Sequence, residues 1–152
     1  YYTVEELLRR GYEVKSLSLP PMPAINLFSS DKVENMLADV NALSDEEILK
    51  ILEDVDGLIY AIGADERVLP DAPAFSFFYE ANVLPTQRLA RLSAKAGLES
   101  FVVFGSYFAE FAEKMPDLEL KKQGYPATRL LQEQVAFAEG ECKIRVTSLR
   151  LP

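Results

Sequence analysis

Apolar and polar positions along the chain switch repeatedly between the spacing of a helix and that of a strand. From Tyr1 to Arg10, Val4, Leu7 and Leu8 share one helical face and Gly11 supplies a stop. Tyr12 to Leu19 then alternates apolar and polar residues and runs into Pro20-Pro21, which predicts a strand followed by a variable loop from Pro20 to Lys32. Val33 to Val40 reads as a second strand. Ser44-Asp45-Glu46-Glu47 has the form of a capping box and opens a helix whose Ile48, Leu49 and Leu52 form a stripe ending near Asp54. Leu58 to Ile62, set between Asp56-Gly57 and Gly63, is a short apolar run expected of a strand buried on both faces. A long helical pattern from Ala74 to Ala96 follows, with Pro85 inside it either as a kink or in the first turn of a second helix, and Gly97 at its end. Phe101 to Phe104 predicts another buried strand, and Gly105 to Gly124 an irregular segment with one helical turn. Tyr125 to Ala138 returns to helical spacing before Gly140, and Lys143 to Leu149 forms the last strand.

Strands separated again and again by helical stretches imply an α/β fold, a doubly wound parallel sheet in a three-layer α/β/α arrangement. The whole of 1–152 is expected to form one nucleotide-binding domain. It opens inside a helix with no strand before it. An apolar strand and a Gly-x-x-Gly-x-x-Gly turn are therefore expected just upstream of Tyr1, with the chain a fragment cut at both ends.

Composition narrows the chemistry. With 24 Asp plus Glu against 16 Lys plus Arg, the net charge of -8 opposes binding to nucleic-acid phosphates. No apolar run approaches the ~20 residues of a membrane span and no signal peptide opens the chain, so a cytoplasmic protein that does not contact membranes is expected. The chain has no His and a single Cys. The usual zinc sites and His-dependent nucleophile systems are thus excluded, no metal is expected, and proton transfer falls to carboxylates, Lys, Tyr or Cys142. Cys142, beside Lys143 at the last strand, reads as a buried, inert thiol.

Tyr125 and Arg129 lie one helical turn apart on one face, where a cation favours the phenolate and lowers its pKa. They suit acid–base work, but taken alone they read first as a surface Tyr stacked on an Arg. Ser106 follows a strand at the edge where open α/β sheets bind ligands, and it can donate to a substrate oxygen or simply cap a turn. Asn82 in mid-helix is either exposed or bonded to something specific. Tyr60-Ala61-Ile62-Gly63 ends a strand with small residues that permit close backbone approach, or an ordinary turn. Taken alone, Asp39 is a turn acid. Phe75, Phe77, Phe78 and Tyr79 read as core or as a subunit contact, and Asp45 to Glu47, Glu139 and Glu141 as solvated faces.

Five segments together resemble the extended short-chain dehydrogenase/reductase family, the NAD(P)-dependent epimerases and dehydratases. They are ELLRRGYEV at Glu6 to Val14, LADV at Leu37 to Val40, DGLIYAIG at Asp56 to Gly63, NVLPTQRLARLSAKAGLESFVVFGS at Asn82 to Ser106, and YPATR at Tyr125 to Arg129. The resemblance implies a Rossmann-like domain and hydride transfer between NAD or NADP and a small-molecule substrate, such as a nucleotide-sugar. It implies Tyr125 as general acid/base, Ser106 as hydrogen-bond donor to substrate, Arg129 as ribose anchor and Asn82 as support. Cofactor contacts fall on Ser18, Asp39, Val40, Tyr60, Ala61, Ile62, Gly63, Tyr125 and Arg129. Ser18 stands where the family carries an Asp for the ribose, which leaves NAD against NADP open.

The family's helix also implies a homodimer contact through the Phe75 region. Three departures matter. Arg129 replaces the family's Lys, Pro85 stands near its usual Gly, and Tyr107-Phe108 replace the acidic pair of the sugar dehydratases, which disfavours elimination of water. Arginine cannot pass a proton along a relay. The competing reading is therefore a catalytically impaired NAD(P)-binding protein with a regulatory or assembly role. A flavodoxin-like domain shares the alternating pattern but does not need Tyr125 and Ser106 together.

Overall fold

A computed structural model describes residues 1–21 and 28–152; residues 22–27, inside the Pro20 to Lys32 loop, lie outside the described residues. The described chain forms two compact units, Tyr1–Ile48 and Leu49–Pro152.

In the first unit, α1 (Tyr2–Arg9) ends at Gly11, whose φ of 90° is a conformation that favours glycine. Two parallel strands follow, β1 (Val14–Ser18) and β2 (Val33–Leu37), paired in register from Val14 with Val33 to Ser18 with Leu37. Both are shorter than the alternation predicts. Beyond Leu37, Asp39 folds back to accept a bond from the Asn41 N–H at 2.9 Å, which turns the chain out of the ladder. The capping box forms as read: the Ser44 N–H donates to Glu47 Oε2 at 2.7 Å and the Glu47 N–H to Ser44 Oγ at 3.2 Å, opening α2 (Asp45–Ile51).

The second unit holds three parallel strands in the order β3 (Gly57–Tyr60), β4 (Ser100–Ser106), β5 (Arg145–Leu151). Parallel neighbours need crossovers, and helices supply them. Between β3 and β4 run α3 (Ala74–Phe78), a π-helical turn (Tyr79–Val83) and α4 (Leu84–Ala96). Pro85 sits in the first turn of α4, directly after the π-helical turn, whose extra residue accommodates the missing N–H and the ring within the helical run. Between β4 and β5 run α5 (Tyr107–Lys114) and α6 (Gly124–Gly140). The 17-residue α6 packs on α3, α4, α5, β4 and β5. At Gly124 a Cβ would stand 2.8 Å from the Phe75 backbone nitrogen, so only glycine lets the starts of α6 and α3 come this close.

Four expectations change. The Gly105 to Gly124 segment is not irregular, since α5 fills two turns of it and short 3₁₀ turns follow. β4 extends through Ser106, which pairs with Leu151, so Ser106 is the last strand residue rather than one beyond it. The central strands are not buried on both faces. Leu58, Tyr60, Phe101 and Val103 point to the helix-packed side, while Ile59 and Leu149 on the other are exposed. Cys142 is exposed, not buried, because the chain past α6 turns through a positive φ of 58° there before β5 begins. In the aromatic group that opens α3, Phe78 is core, while Phe75 and Phe77 are exposed.

Candidate active site

The C-terminal end of β4 delivers Ser106 in extended conformation directly into the N-cap of α5, where its Oγ accepts the Phe108 N–H at 3.3 Å. That bond fixes the hydroxyl and leaves its proton free to point elsewhere. Tyr125, the second residue of α6, is buried, and its phenol lies near the Ser106 side chain at the carboxyl edge of the sheet. Burial pushes the Tyr125 pKa above its ordinary value of 10.0; the neighbouring Ser106 hydroxyl and the Arg129 charge act against this, and the Glu66 carboxylate adds to it. The lowered pKa expected from a cation one turn away is thus reversed, because loss of solvent outweighs the guanidinium.

Arg129 is also buried. Its Cζ stands 5.8 Å from the centroid of the Tyr125 ring, within cation–π range, and one terminal nitrogen donates to the Phe104 carbonyl at 2.8 Å. Its Nε has no hydrogen-bond partner. The other terminal nitrogen lies 3.5 Å from where a Cβ on Gly63 would be. The guanidinium thus sits behind the phenol and beside the chain leaving β3.

Asn82 is fully buried in the π-helical turn, an extra-residue geometry frequent at functional sites. Its amide clamps both backbone groups of one residue: Oδ1 accepts the Ala64 N–H at 2.8 Å and Nδ2 donates to the Ala64 carbonyl at 3.0 Å. Gly63, with a φ of 153°, is required by this clamp, since a Cβ there would stand 2.5 Å from Asn82 Oδ1. Below the clamp, Thr86 Oγ1 donates to the Asn82 carbonyl at 2.7 Å and accepts from Gln132 Nε2 at 2.8 Å. A buried polar line thereby ties α4 and α6 to the support residue.

Tyr60 closes β3 with its side chain directed inward, stacked on Phe101 with centroids 6.4 Å apart. Its hydroxyl lies by Thr86 without a completed hydrogen bond, and burial pushes its pKa up to about 12. The native state therefore holds this proton more tightly than the unfolded chain does. The resulting stabilisation is complete below pH 10, the ordinary value, and is lost as pH rises through about 12. Two pH units correspond to about 2.7 kcal/mol. Chemical denaturation at pH 9 and 12 should show the wild type losing about that much more stability than Tyr60→Phe; equal losses would place the titration elsewhere.

The remaining predicted contacts divide between the units. Ala61, Ile62 and Gly63 are exposed just past β3, and with Tyr60, Asn82, Ser106, Tyr125 and Arg129 they lie in the second unit. Ser18, half-buried at the end of β1, exposed Asp39 and buried Val40 belong to the first. Sequence reading missed the Ala64 peptide, the Phe104 carbonyl, Thr86, Gln132 and Glu66. Only Gln132 carried a signal, as a polar residue one turn before Ala136 on the packed side of α6.

No protein-family profile and no curated protein matches the chain. Solved structures do. The chain resembles MoeE5 in complex with UDP-glucuronic acid and NAD, with a TM-score of 0.74 at 22% identity over 98% of this chain and 49% of that one. It resembles UDP-glucuronic acid 4-epimerase from Bacillus cereus in complex with UDP-glucuronic acid and NAD, at 0.76 and 18% over 98% and 51%. It also resembles the Bordetella bronchiseptica enzyme WbmH in complex with NAD+, at 0.72 and 13% over 97% and 49%. The chain spans about half the length of these proteins. Parallel strands joined through helices and this likeness together establish that the chain has the Rossmann-like α/β fold of these NAD-bound structures.

Proposed function

We propose that this chain is the cofactor-binding part of an NAD(P)-dependent oxidoreductase or epimerase of the short-chain dehydrogenase/reductase type, acting on a carbonyl or secondary alcohol. The observation that carries the proposal is the placing of Ser106 at the end of β4 beside the buried Tyr125, whose ring meets that of Phe108, two residues after Ser106, with Arg129 behind the phenol. A substrate oxygen placed between the two hydroxyls gains two hydrogen bonds, and one of them delivers or removes a proton.

The residues present fit a dinucleotide. Ala61 to Gly63 are exposed just past β3, so their backbone is open to solvent, and Arg129 Nε is an unused buried donor. Ala61, Ile62 and Gly63 would hold the cofactor along their backbone and Arg129 its ribose; for Ser18, Asp39 and Val40, in the first unit, the adenosine role is carried by the family resemblance alone. Bound nicotinamide supplies hydride exchange. The chain's own groups orient the substrate oxygen and move its proton: with its pKa raised, the Tyr125 phenol is neutral at physiological pH and acts first as a donor, the role that carbonyl reduction requires.

Neighbours solved with NAD and UDP-sugars make NAD the cofactor, and a nucleotide-sugar the substrate, with which testing begins. A homodimer through the exposed Phe75 and Phe77 belongs to the same proposal. The second reading, a cofactor-binding protein without turnover, is favoured by the engagement of Arg129 with the Phe104 carbonyl. The test is binding of NADH and of NADPH by the full-length protein, then oxidation of whichever binds with a panel of carbonyl compounds. Saturable binding with turnover supports the enzyme, binding without turnover supports the second reading, and absence of binding overturns both.

A further inference from the structure

The first two turns of α5 carry three rings that the helix does not use for its core. The core stripe of α5 is Ala109 and Ala112, which pack on Leu130. Tyr107, Phe108 and Phe111 fall to the side of that stripe at helical spacing and remain half-buried. Tyr107 stacks on Phe108 with centroids 4.7 Å apart and planes at 25°, and Phe111 meets Tyr107 edge-on at 5.1 Å. Phe108 in turn meets the Tyr125 ring edge-on at 5.6 Å and 80°. A continuous aromatic shelf therefore starts at the phenol and runs along α5, beginning one residue after the Ser106 hydroxyl.

The charged groups of α5 do not serve this shelf. Glu110 is paired with Lys114 at 2.6 Å and Glu113 with Arg150 at 2.7 Å. A planar ring laid along the shelf would gain stacking and edge contacts from all three rings, whose only polar group is the Tyr107 hydroxyl.

We infer that Tyr107, Phe108 and Phe111 form an aryl subsite, so that the substrate presented to Ser106 and Tyr125 is a carbonyl or carbinol carrying an aromatic ring. This inference rests on the proposed oxidoreductase reading and narrows its substrate. The reaction is carbonyl reduction, in which hydride from NADH adds to the carbonyl carbon, the Tyr125 proton goes to its oxygen, and NAD+ and the aryl carbinol are released.

The test compares acetophenone with cyclohexyl methyl ketone, a pair of similar size differing in ring planarity, on the full-length protein. Calorimetric titration without cofactor reads the shelf alone, and NADH oxidation reads the chemistry. Tighter binding of acetophenone is expected, weakened about ten-fold by Tyr107→Ser and kept by Tyr107→Phe, since one ring contact is at stake. The same order is expected in kcat/KM. Tyr107 contacts only its two helix neighbours among the rings, so Tyr107→Ser leaves the Phe108–Tyr125 contact in place. Selective binding without turnover supports the shelf and overturns the oxidoreductase reading. Turnover that favours the cyclohexyl ketone or a UDP-sugar, or an equal effect of Tyr107→Ser on both ketones, overturns the shelf and leaves the oxidoreductase reading standing.

Discussion

Tyr125→Phe is expected to reduce turnover by roughly 10²- to 10⁴-fold, the usual contribution of a positioned general acid, while leaving cofactor affinity nearly unchanged. The substitution removes one oxygen. The ring keeps its edge contacts with Phe78 at 5.2 Å and Phe108 at 5.6 Å, so the packing of α6 is retained and the loss reports the proton. The pH profile supplies an independent check. Because burial raises the phenol pKa above 10.0, carbonyl reduction should be level through neutral pH and decline only above pH 10, whereas alcohol oxidation, which needs the phenolate, should rise over the same interval. Arg129 and Glu66 are the charges that act on the phenol. Initial rates in both directions from pH 6 to 11 measure this. A variant retaining wild-type turnover, or a profile that breaks near neutrality, would assign the proton to another group.

Much of the fold was legible because its determinants are local. The Ser44–Glu47 box, the apolar run of β3 and the spacing of α6 each follow from a short stretch of sequence, and each forms. The α5 helix was not legible for a physical reason. Its packed stripe is only two alanines and its largest residues lie off that stripe, so the apolar spacing of an amphipathic helix is missing.

The site divides in the same way. Tyr125 and Arg129 are one turn apart, so their proximity follows from the helix; that Ser106 lies near Tyr125 depends on α5 and α6 folding back over β4. Asn82 looked like a residue in need of a partner, but the partner is a backbone peptide 18 residues upstream, and a peptide leaves no mark in the sequence. The direction of the Tyr125 pKa went unread for a related reason. Spacing reveals the neighbouring charge but not the loss of solvent that opposes it.

A second large effect is expected at a site without a role in the chemistry. Glu133, in mid-α6, is almost wholly buried, with both carboxylate oxygens in use. Ser148 Oγ donates to Oε1 at 2.7 Å, and Arg150 reaches the carboxylate through Nε at 3.1 Å and a terminal nitrogen at 2.8 Å, which fastens β5 to α6. At Gly105, where a Cβ would stand 2.8 Å from Oε1, the β4 backbone leaves room for the same carboxylate. Glu133→Ala strands the Arg150 guanidinium against Glu113 alone and opens a cavity beside Gly105. It should cost about 3–5 kcal/mol, the range for breaking a buried pair by removing one partner. Arg150→Met leaves the carboxylate buried with only Ser148 and should cost a comparable amount.

The double variant Glu133→Leu/Arg150→Met leaves neither charge stranded, so it should recover much of the loss, because desolvation of the buried Glu133 carboxylate offsets much of the mutual attraction. Denaturant unfolding of the wild type, Glu133→Leu, Arg150→Met and the double variant closes the cycle. Additive losses in the double variant would mean that Glu133 and Arg150 hold α6 and β5 through separate contacts rather than as a pair.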